Sequence, residues 1–162
     1  LVRGHSDEGE QILESLLWAQ SHNKPKANAK DRHHDDTAAE ALFVLGRYYH
    51  RVRKQPKTAR YIWRALAQQH PKSAWAGGAW WWYARSQAEI GRPALGLKAL
   101  RRRARAEPDN AGALRQWVGF VAKFDLKGAE AEARKALAEG RKRLPASDHA
   151  GLDKALKKLD AM

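Results

Sequence analysis

Three prolines at one fixed spacing limit the folds that are open to this chain. Pro71, Pro108 and Pro145 stand at two equal intervals of 37 residues. Each follows an apolar helical pattern that proline cannot continue, and a polar turn and another such pattern come after it. Fixed periods of about 20–50 residues are typical of stacked supersecondary units. We therefore expect an array of helical repeats.

The composition favours an all-α chain. The 162 residues are 43% hydrophobic, and helix-favouring Ala, Leu, Arg, Lys and Glu dominate while β-branched residues are scarce. A chain of this length can bury a core in one domain. Because cysteine is absent, disulfides, thiolate metal sites and cysteine nucleophiles are excluded. No apolar run approaches the roughly 20 residues that a membrane-spanning helix needs.

Each period holds two predicted helices. They cover residues 37–51 and 57–69 in the first period, 73–89 and 93–106 in the second, and 110–124 and 129–143 in the third. Pro56 and Pro93 suit the first turn of a helix. Gly91 suits the end of a helix. A third turn is expected near Lys127, where Gly128 also suits the end of a helix.

Residues that follow the prolines offer N-caps to the next helices. Ser73, Asn110 and Ser147 carry the side-chain oxygens that such caps use. The last predicted helix, residues 147–159, has leucines on one side and lysines on the other. It is expected to shield the last repeat from water, as capping helices of repeat arrays do.

The first 36 residues stand apart from the periodic region. Residues 1–6, Leu-Val-Arg-Gly-His-Ser, resemble an expression-tag remnant, so we expect the native N-terminus to be absent and leave the compartment, cytoplasmic or periplasmic, open. Residues 7–20 predict a helix with an apolar stripe and acidic residues at its start. Residues 21–36 are polar, contain Pro25 and predict a long connection or a disordered loop.

The stretch His33-His34-Asp35-Asp36 holds side chains that bind zinc or iron in other proteins. Consecutive residues on a loop point apart, however, and no second ligand pair of clear spacing follows. We therefore predict no metal site and no cofactor, and expect Asp36 or Thr37 to cap the next helix with Glu40 as capping-box partner. A glycine-rich phosphate loop and paired carboxylates in an apolar setting are also missing, so we expect no enzymatic activity.

The net charge of +13 is concentrated in the middle of the chain. Residues 41–123 contain seventeen Lys/Arg and three Asp/Glu, whereas residues 1–40 contain five and eight, and residues 124–162 contain nine and seven. Such a basic region attracts acidic partners and speeds their encounter at low salt.

Large, small and aromatic residues recur at matching positions of the three periods. The first has Leu42, Leu45-Gly46, Tyr49, Ala59, Trp63 and Pro71; the second has Trp80, Tyr83-Ala84, Gly91, Gly96, Leu100 and Pro108; the third has Trp117, Phe120-Val121, Phe124, Gly128, Ala133, Leu137 and Pro145. Over residues 37–162 this pattern resembles the tetratricopeptide repeat (TPR) family, with Arg103 and Val121 where the family usually has small residues.

The resemblance implies a right-handed α-solenoid of about three TPR-like repeats with an extra N-terminal helix and a C-terminal capping helix. The repeats would cover residues 37–72, 73–109 and 110–146, followed by the capping helix in residues 147–162. Gly46 and Ala84 would let the two helices of their repeats approach each other closely.

In the resembling family the first helices line a concave groove that holds extended peptides or partner helices. At matching positions this chain has Phe43, Arg47, His50, Arg51, Trp81, Trp82, Arg85, Arg115, Val118 and Ala122. Three consecutive tryptophans sweep roughly 200° of a helix, so we expect Trp80 in the core and Trp81 and Trp82 in the groove. Because arginine binds carboxylates bidentately, we predict a non-catalytic scaffold that binds an acidic segment of another protein.

Basic and aromatic clusters leave other functions open. A basic patch on the second helix of the central repeat consists of Lys98, Arg101, Arg102, Arg103 and Arg105. Such a patch can neutralise the phosphates of nucleic acid or of another anionic surface. An exposed tryptophan patch can also mediate homo-oligomer formation. His50 and His70 are expected to be ordinary surface or groove histidines.

Overall fold

The computed structural model describes the backbone from residue 32 and the side chains from residue 37 to the C-terminus. Within this part of the chain, 82% of the residues are helical and none lies in a strand. The all-α prediction is confirmed for these residues. The expectations for the first 31 residues, the tag remnant and the acidic helix included, lie outside the described residues.

Seven α-helices follow one another in the described part. They are α1 (Arg32–Arg47), α2 (Pro56–Gln69), α3 (Ala76–Glu89), α4 (Pro93–Ala106), α5 (Ala111–Lys123), α6 (Lys127–Arg143) and α7 (Ala146–Asp160). A π-helical turn, Tyr48–Val52, continues α1. Pro71, Pro108 and Pro145 follow α2, α4 and α6 respectively, so each predicted period contains the expected pair of helices.

The chain divides into two compact units, Leu1–Ala79 and Trp80–Met162, with the boundary inside α3. In the first unit, α2 packs against α1 and against the π turn. Ile62, Trp63 and Leu66 of α2 are wholly buried there. The apolar stripe of α2 therefore forms the centre of this unit's core.

The core of the second unit is built around α5, which contacts α4, α6 and α7. Its largest wholly buried side chains are Leu100, Val118, Phe120, Val121 and Leu159. The last helix, α7, packs on α5 and α6 and buries its apolar face there. The lysine-rich opposite face of α7 is left to solvent.

Small residues let paired helices approach closely in both units. A Cβ built on Gly46 would lie 2.8 Å from ring carbons of Trp63. A Cβ built on Gly96 would lie 2.6 Å from the carbonyl oxygen of Ala84. The close approach predicted at Gly46 and at Ala84 is therefore present, and in the second pair Gly96 makes it possible from the opposite helix.

Proline, glycine and asparagine mark several helix ends as predicted. Pro56 and Pro93 are the first residues of α2 and α4. Asn110 caps α5, since its side-chain oxygen accepts a hydrogen bond from the Ala113 amide at 3.0 Å. Gly91 follows α3 with a φ of +79°, a left-handed conformation that glycine adopts without strain.

The start of α1 differs from the prediction. The helix begins at Arg32, so the last part of the predicted loop is helical and neither Asp36 nor Thr37 caps a helix. No glycine or proline stands between Pro25 and Gly46. Nothing local therefore stops the helix from extending into the polar stretch.

The third turn also differs from the prediction. It lies at residues 124–126, where Asp125 takes a φ of +48°, and α6 begins at Lys127. Aspartate tolerates this conformation because its short side chain can bond locally. Gly128 consequently lies inside α6 and does not end a helix.

Neither serine after a proline caps its helix. α3 begins three residues after Ser73, at Ala76. α7 has Pro145 as its N-cap, whose extended backbone leads directly into the helix at Ala146. Proline at this position leaves Ser147 inside the first turn.

Ion pairs join α6 to α7. Arg134 donates to Asp160 Oδ1 at 2.6 Å and to Glu130 Oε1 of its own helix at 2.8 Å. These hydrogen bonds raise the pKa of the Arg134 guanidinium. Arg141 pairs with Asp153 of α7. Such exposed pairs contribute little free energy each.

Candidate functional site

The three consecutive tryptophans of α3 have different surroundings. Trp80 packs, partly buried, on the core of the second unit. Its ring meets that of Tyr83 edge to face, with the centroids 5.9 Å apart. Trp80 thus contacts the core as expected, although the core does not enclose it.

Trp81 contacts the same core. Its ring meets Phe120 edge to face at a centroid distance of 6.2 Å, and Phe120 in turn packs on Phe124 at 4.6 Å. The rest of the ring is partly exposed, and Lys123 Nζ lies 5.8 Å from its centroid. The division expected between Trp80 in the core and Trp81 away from it does not hold, because α5 places Phe120 against Trp81.

Trp82 is the one of the three that does not pack on the described core of the second unit. The guanidinium carbon of Arg85 lies 5.1 Å from its ring centroid, within the range of a cation–π contact. Arg85 also pairs with Glu89 one turn later, Nε to Oε1 at 2.7 Å. The side chain of Arg85 keeps 34% of its exposure, so solvent reaches the Trp82–Arg85 pair.

Three of the predicted groove residues belong to the first unit, namely Phe43, Arg47 and Arg51. Phe43 is half-buried, and its ring lies 5.2 Å from Trp63 and 4.7 Å from Trp75. Arg47 and Arg51 are exposed. Phe43 is therefore tied into the core of this unit, whereas the two arginines face solvent.

Both histidines that were predicted to be ordinary surface or groove histidines are buried. His50 is 6% exposed and His70 is 8% exposed, so that prediction is wrong. His50 follows Leu42 and Gly46 at intervals of four residues, which puts all three on the buried face. His70 ends α2, where its amide donates to the Leu66 carbonyl.

Two predicted groove residues of the third pair, Val118 and Arg115, have different surroundings. Val118 is wholly buried, so its assignment to an open groove is wrong. Arg115 is exposed, and its guanidinium lies against Gly151 and 3.7 Å from Asp148 Oδ1, both in α7. The last helix therefore contacts α5 at Arg115, where the groove was expected.

The basic patch on α4 is largely paired with other side chains. Arg101 and Arg105, one turn apart, both contact Glu132 of α6, at 2.9 Å and 2.8 Å. Arg103 contacts Glu107 at 3.1 Å and Gln116 of α5 at 2.8 Å. In the described part of the chain, only Lys98 and Arg102 of the five predicted residues show no such contact. The charge open to an anionic partner is thus smaller than the sequence indicates.

Two residues that make contacts at the predicted sites escaped sequence reasoning. Lys123 approaches both Trp81 and Phe124, with its Nζ 5.9 Å from the Phe124 centroid. Its position three residues after Phe120 on one helix is a weak signal for this contact. Glu132 was not identifiable, because it lies 27 and 31 residues from the arginines that it joins.

The chain was also compared with known proteins. No protein-family model, curated protein or solved structure matches it. These comparisons neither support nor refute the resemblance to a repeat family, which rests on the residue spacing of the sequence alone.

Among the described side chains, no three His, Asp or Glu lie close enough together to hold a metal ion. The side chains of residues 33–36 lie outside the described ones. None of the described helices combines the length and apolar character needed to cross a bilayer.

Proposed function

We propose that this protein is a non-catalytic TPR-like scaffold that binds an acidic segment of another protein. The pairs α1–α2, α3–α4 and α5–α6 would be its three repeats, stacked as a right-handed solenoid, with α7 as the capping helix. Close packing of Gly46 on Trp63 and of Gly96 on Ala84 supports this proposal. Such contacts are what two-helix repeats need in order to share a continuous core.

The observation that carries the binding proposal is the pair formed by Trp82 and Arg85. The indole holds the guanidinium in place, so little side-chain entropy is lost when Arg85 takes up a carboxylate. Glu89 occupies part of the guanidinium in the free protein. A partner carboxylate would exchange with Glu89, which the partial exposure of both side chains permits.

Trp81 and Lys123 form a second contact between an aromatic ring and a cation. The first helices of two consecutive pairs, α3 and α5, supply them. Tryptophan contributes a large contact area with few rotatable bonds, and it is enriched where binding energy is concentrated. A partner segment with spaced acidic residues would match these two pairs.

The rival hypothesis is binding of nucleic acid or an anionic surface through α4. The contacts of Arg101 and Arg105 with Glu132 favour the protein-binding proposal, since a phosphate would have to displace that carboxylate. The two hypotheses differ in salt dependence. Phosphate binding through several cations loses affinity steeply as salt rises.

Fluorine NMR of the 5-fluorotryptophan-labelled chain tests the proposal. The probe is a synthetic extended peptide rich in Glu and Pro, which cannot form a helix. We expect the resonances of Trp81 and Trp82 to shift on titration while those of Trp63 and Trp117, 0% and 4% exposed, stay in place.

Charge reversal at two exposed arginines separates specific from general attraction. Arg85→Glu should abolish the shifts, whereas the control Arg102→Glu on α4 should preserve them. Equal losses in both variants would mean that the peptide responds only to net charge, and the binding proposal would then be wrong.

A further inference from the structure

The carboxylates of the second unit are almost all paired within that unit. Residues 80–162 contain eighteen Lys/Arg and ten Asp/Glu, and the structure describes all of them. Nine of the ten carboxylates pair with a cation of the same unit, and Glu139 is the tenth. Asp125 pairs with Lys127, and the other eight pair with arginines. Nine Lys/Arg of this unit make no ion pair, and seven of them are lysines.

Two ion pairs form the seam between α6 and α7 and show that the two helices run antiparallel. Arg134 pairs with Asp160 and Arg141 pairs with Asp153. A step of seven residues forward on α6 therefore matches a step of seven residues back on α7. Because seven residues are almost two helical turns, each helix presents one edge to the seam. Arginines of α6 thus take up both of these carboxylates of α7.

The residues on either side of each seam residue locate the outer surface of the two helices. A buried residue precedes each of the four seam residues, and an exposed residue follows it. Since one residue turns about 100° around the helix, the order runs from the core through the seam to solvent on both helices. The residues that follow are Lys135, Lys142, Lys154 and Ala161.

Five exposed lysines share this outer surface. Lys157 and Lys158 stand three and four residues after Lys154, so they lie on the same side of α7. We call the lysine face the set Lys135, Lys142, Lys154, Lys157 and Lys158.

The lysine face keeps its charge. No carboxylate of the described residues pairs with any of its five members. Glu139 borders the face on α6, between Lys135 and Lys142, and pairs with neither. The cations form two rows, one on each helix, and packed helices lie about 8–10 Å apart. Five cations therefore meet solvent beside a single carboxylate.

We infer that the lysine face binds the phosphate backbone of double-stranded nucleic acid, independently of base sequence. A duplex carries one negative charge per about 1.7 Å of its axis, so the 17 residues of α6, about 25 Å long, span about fifteen phosphates. Lysine contacts a phosphate as a flexible point charge and requires no fixed geometry. This surface includes neither Trp82 nor Arg85, and it does not use the arginines of α4.

The lysine face lacks the side chains that other partners need. Protein interfaces are depleted in lysine and are anchored by Trp, Tyr or Arg. Helices in a membrane interface insert Trp, Phe or Leu, and single strands stack their bases on aromatic rings. Among the described residues, no large apolar side chain is exposed on α6 or α7. Contact with a duplex backbone needs only cations, so a duplex fits this face best.

Fluorescence anisotropy with the full chain and a labelled DNA duplex of mixed sequence tests this inference over a range of salt concentrations. The logarithm of the association constant falls with log salt at a slope of about −0.9 per phosphate contact, so five contacts give a slope of about −4.5. Lys135→Gln/Lys142→Gln and Lys154→Gln/Lys158→Gln should each make the slope shallower by about 1.8. Each should also raise the Kd about tenfold or more at about 50 mM salt.

Lys98→Gln/Arg102→Gln on α4 is the matched control, because it removes two exposed and unpaired cations elsewhere in the same unit. It should leave the slope nearly unchanged. All three double variants replace exposed side chains, so their circular-dichroism melts should match that of the parent chain. An equal change of slope in the control would overturn the inference, as would a parent chain that does not bind the duplex at low salt.

Sequence independence is tested with a second duplex of unrelated sequence, which should bind with the same Kd. A strong preference for one duplex would contradict a contact made to the backbone alone.

Other anionic partners give distinct results, each of which would rule out the inference. Tighter binding of a single strand of the same length would assign the face to unpaired bases. Capture by phosphatidylserine vesicles that both lysine variants lose, without binding of the duplex, would assign it to a membrane. Binding of polyglutamate that both variants lose, again without binding of the duplex, would assign it to an acidic protein.

Discussion

Gly46 of α1 lies against the indole of Trp63 in α2, so closely that a Cβ on Gly46 would fall 2.8 Å from three ring carbons. Trp63 is wholly buried. Its ring also meets Phe43 edge to face, so it has no room to turn aside. This contact sets the distance between the two helices of the first pair.

Gly46→Ala is therefore expected to destabilise the chain by about 1–3 kcal/mol, the usual cost of overpacking. Alanine favours helix by up to about 1 kcal/mol, which offsets only part of this cost. Urea unfolding measures the difference. Gly119→Ala in α5 is the control, since nothing lies within 4 Å of an added Cβ there, and it should be neutral or stabilising. A Gly46→Ala chain as stable as the control would contradict the proposed contact.

Gly96→Ala should be at least as costly, at the upper end of about 1–3 kcal/mol. The added Cβ would meet backbone atoms of Ala84, which cannot rotate away as a side chain can. Gly128→Ala, with open space around the new Cβ, is its matched control. Thermal melts measure the stability of both variants. A smaller loss of stability in Gly96→Ala than in Gly128→Ala would refute the close packing of α3 on α4.

Glu132→Gln should increase affinity for polyanions. Glu132 holds Arg101 and Arg105 together, and its neutral amide would release both for phosphate or sulfate groups. The stability change should stay under about 1 kcal/mol, because the pairs are partly exposed. Heparin chromatography checks the effect: the variant should elute at higher salt than the parent chain and than Glu139→Gln, a change at an exposed glutamate elsewhere on α6. Identical elution of the two variants would show that Glu132 does not mask the arginines.

Leu159→Ala should cost about 2–5 kcal/mol, since Leu159 is 1% exposed and its loss leaves a cavity between α7 and the core. Leu95→Ala, at a side chain that is 45% exposed, should stay within about 0.5 kcal/mol. Chemical denaturation followed by circular dichroism compares the two. If both variants unfold at the same denaturant concentration, α7 does not stabilise the second unit as its packing indicates.

Sequence reasoning predicted the helix bounds well where one residue, such as proline, controls the backbone at the end of a helix. The predicted bounds of α4 agree with the structure, because proline sets its first turn and a polar turn with Pro108 follows its end. The same reasoning failed at the third turn. There Asp125 took the left-handed conformation for which Gly128 was the expected residue.

The candidate site was predicted less well, because its residues depend on neighbouring helices. Arg85 and Trp82 lie on one helix three residues apart, so their contact follows from helical spacing. The contact of Trp81 with Phe120 joins residues 39 positions apart. Spacing along one helix holds no information about such a contact.

The chain's own sequence determined its helical class, its paired helices and several of the places where they end. These features depend on backbone conformation and on side chains within about four residues, which a periodic pattern reveals. Only the tertiary structure decided which faces are covered and which charges are neutralised. The burial of Val118 and the pairing of Arg101 with Glu132 arise from packing between helices. Such contacts join residues that lie far apart in the sequence, 31 positions apart for Arg101 and Glu132.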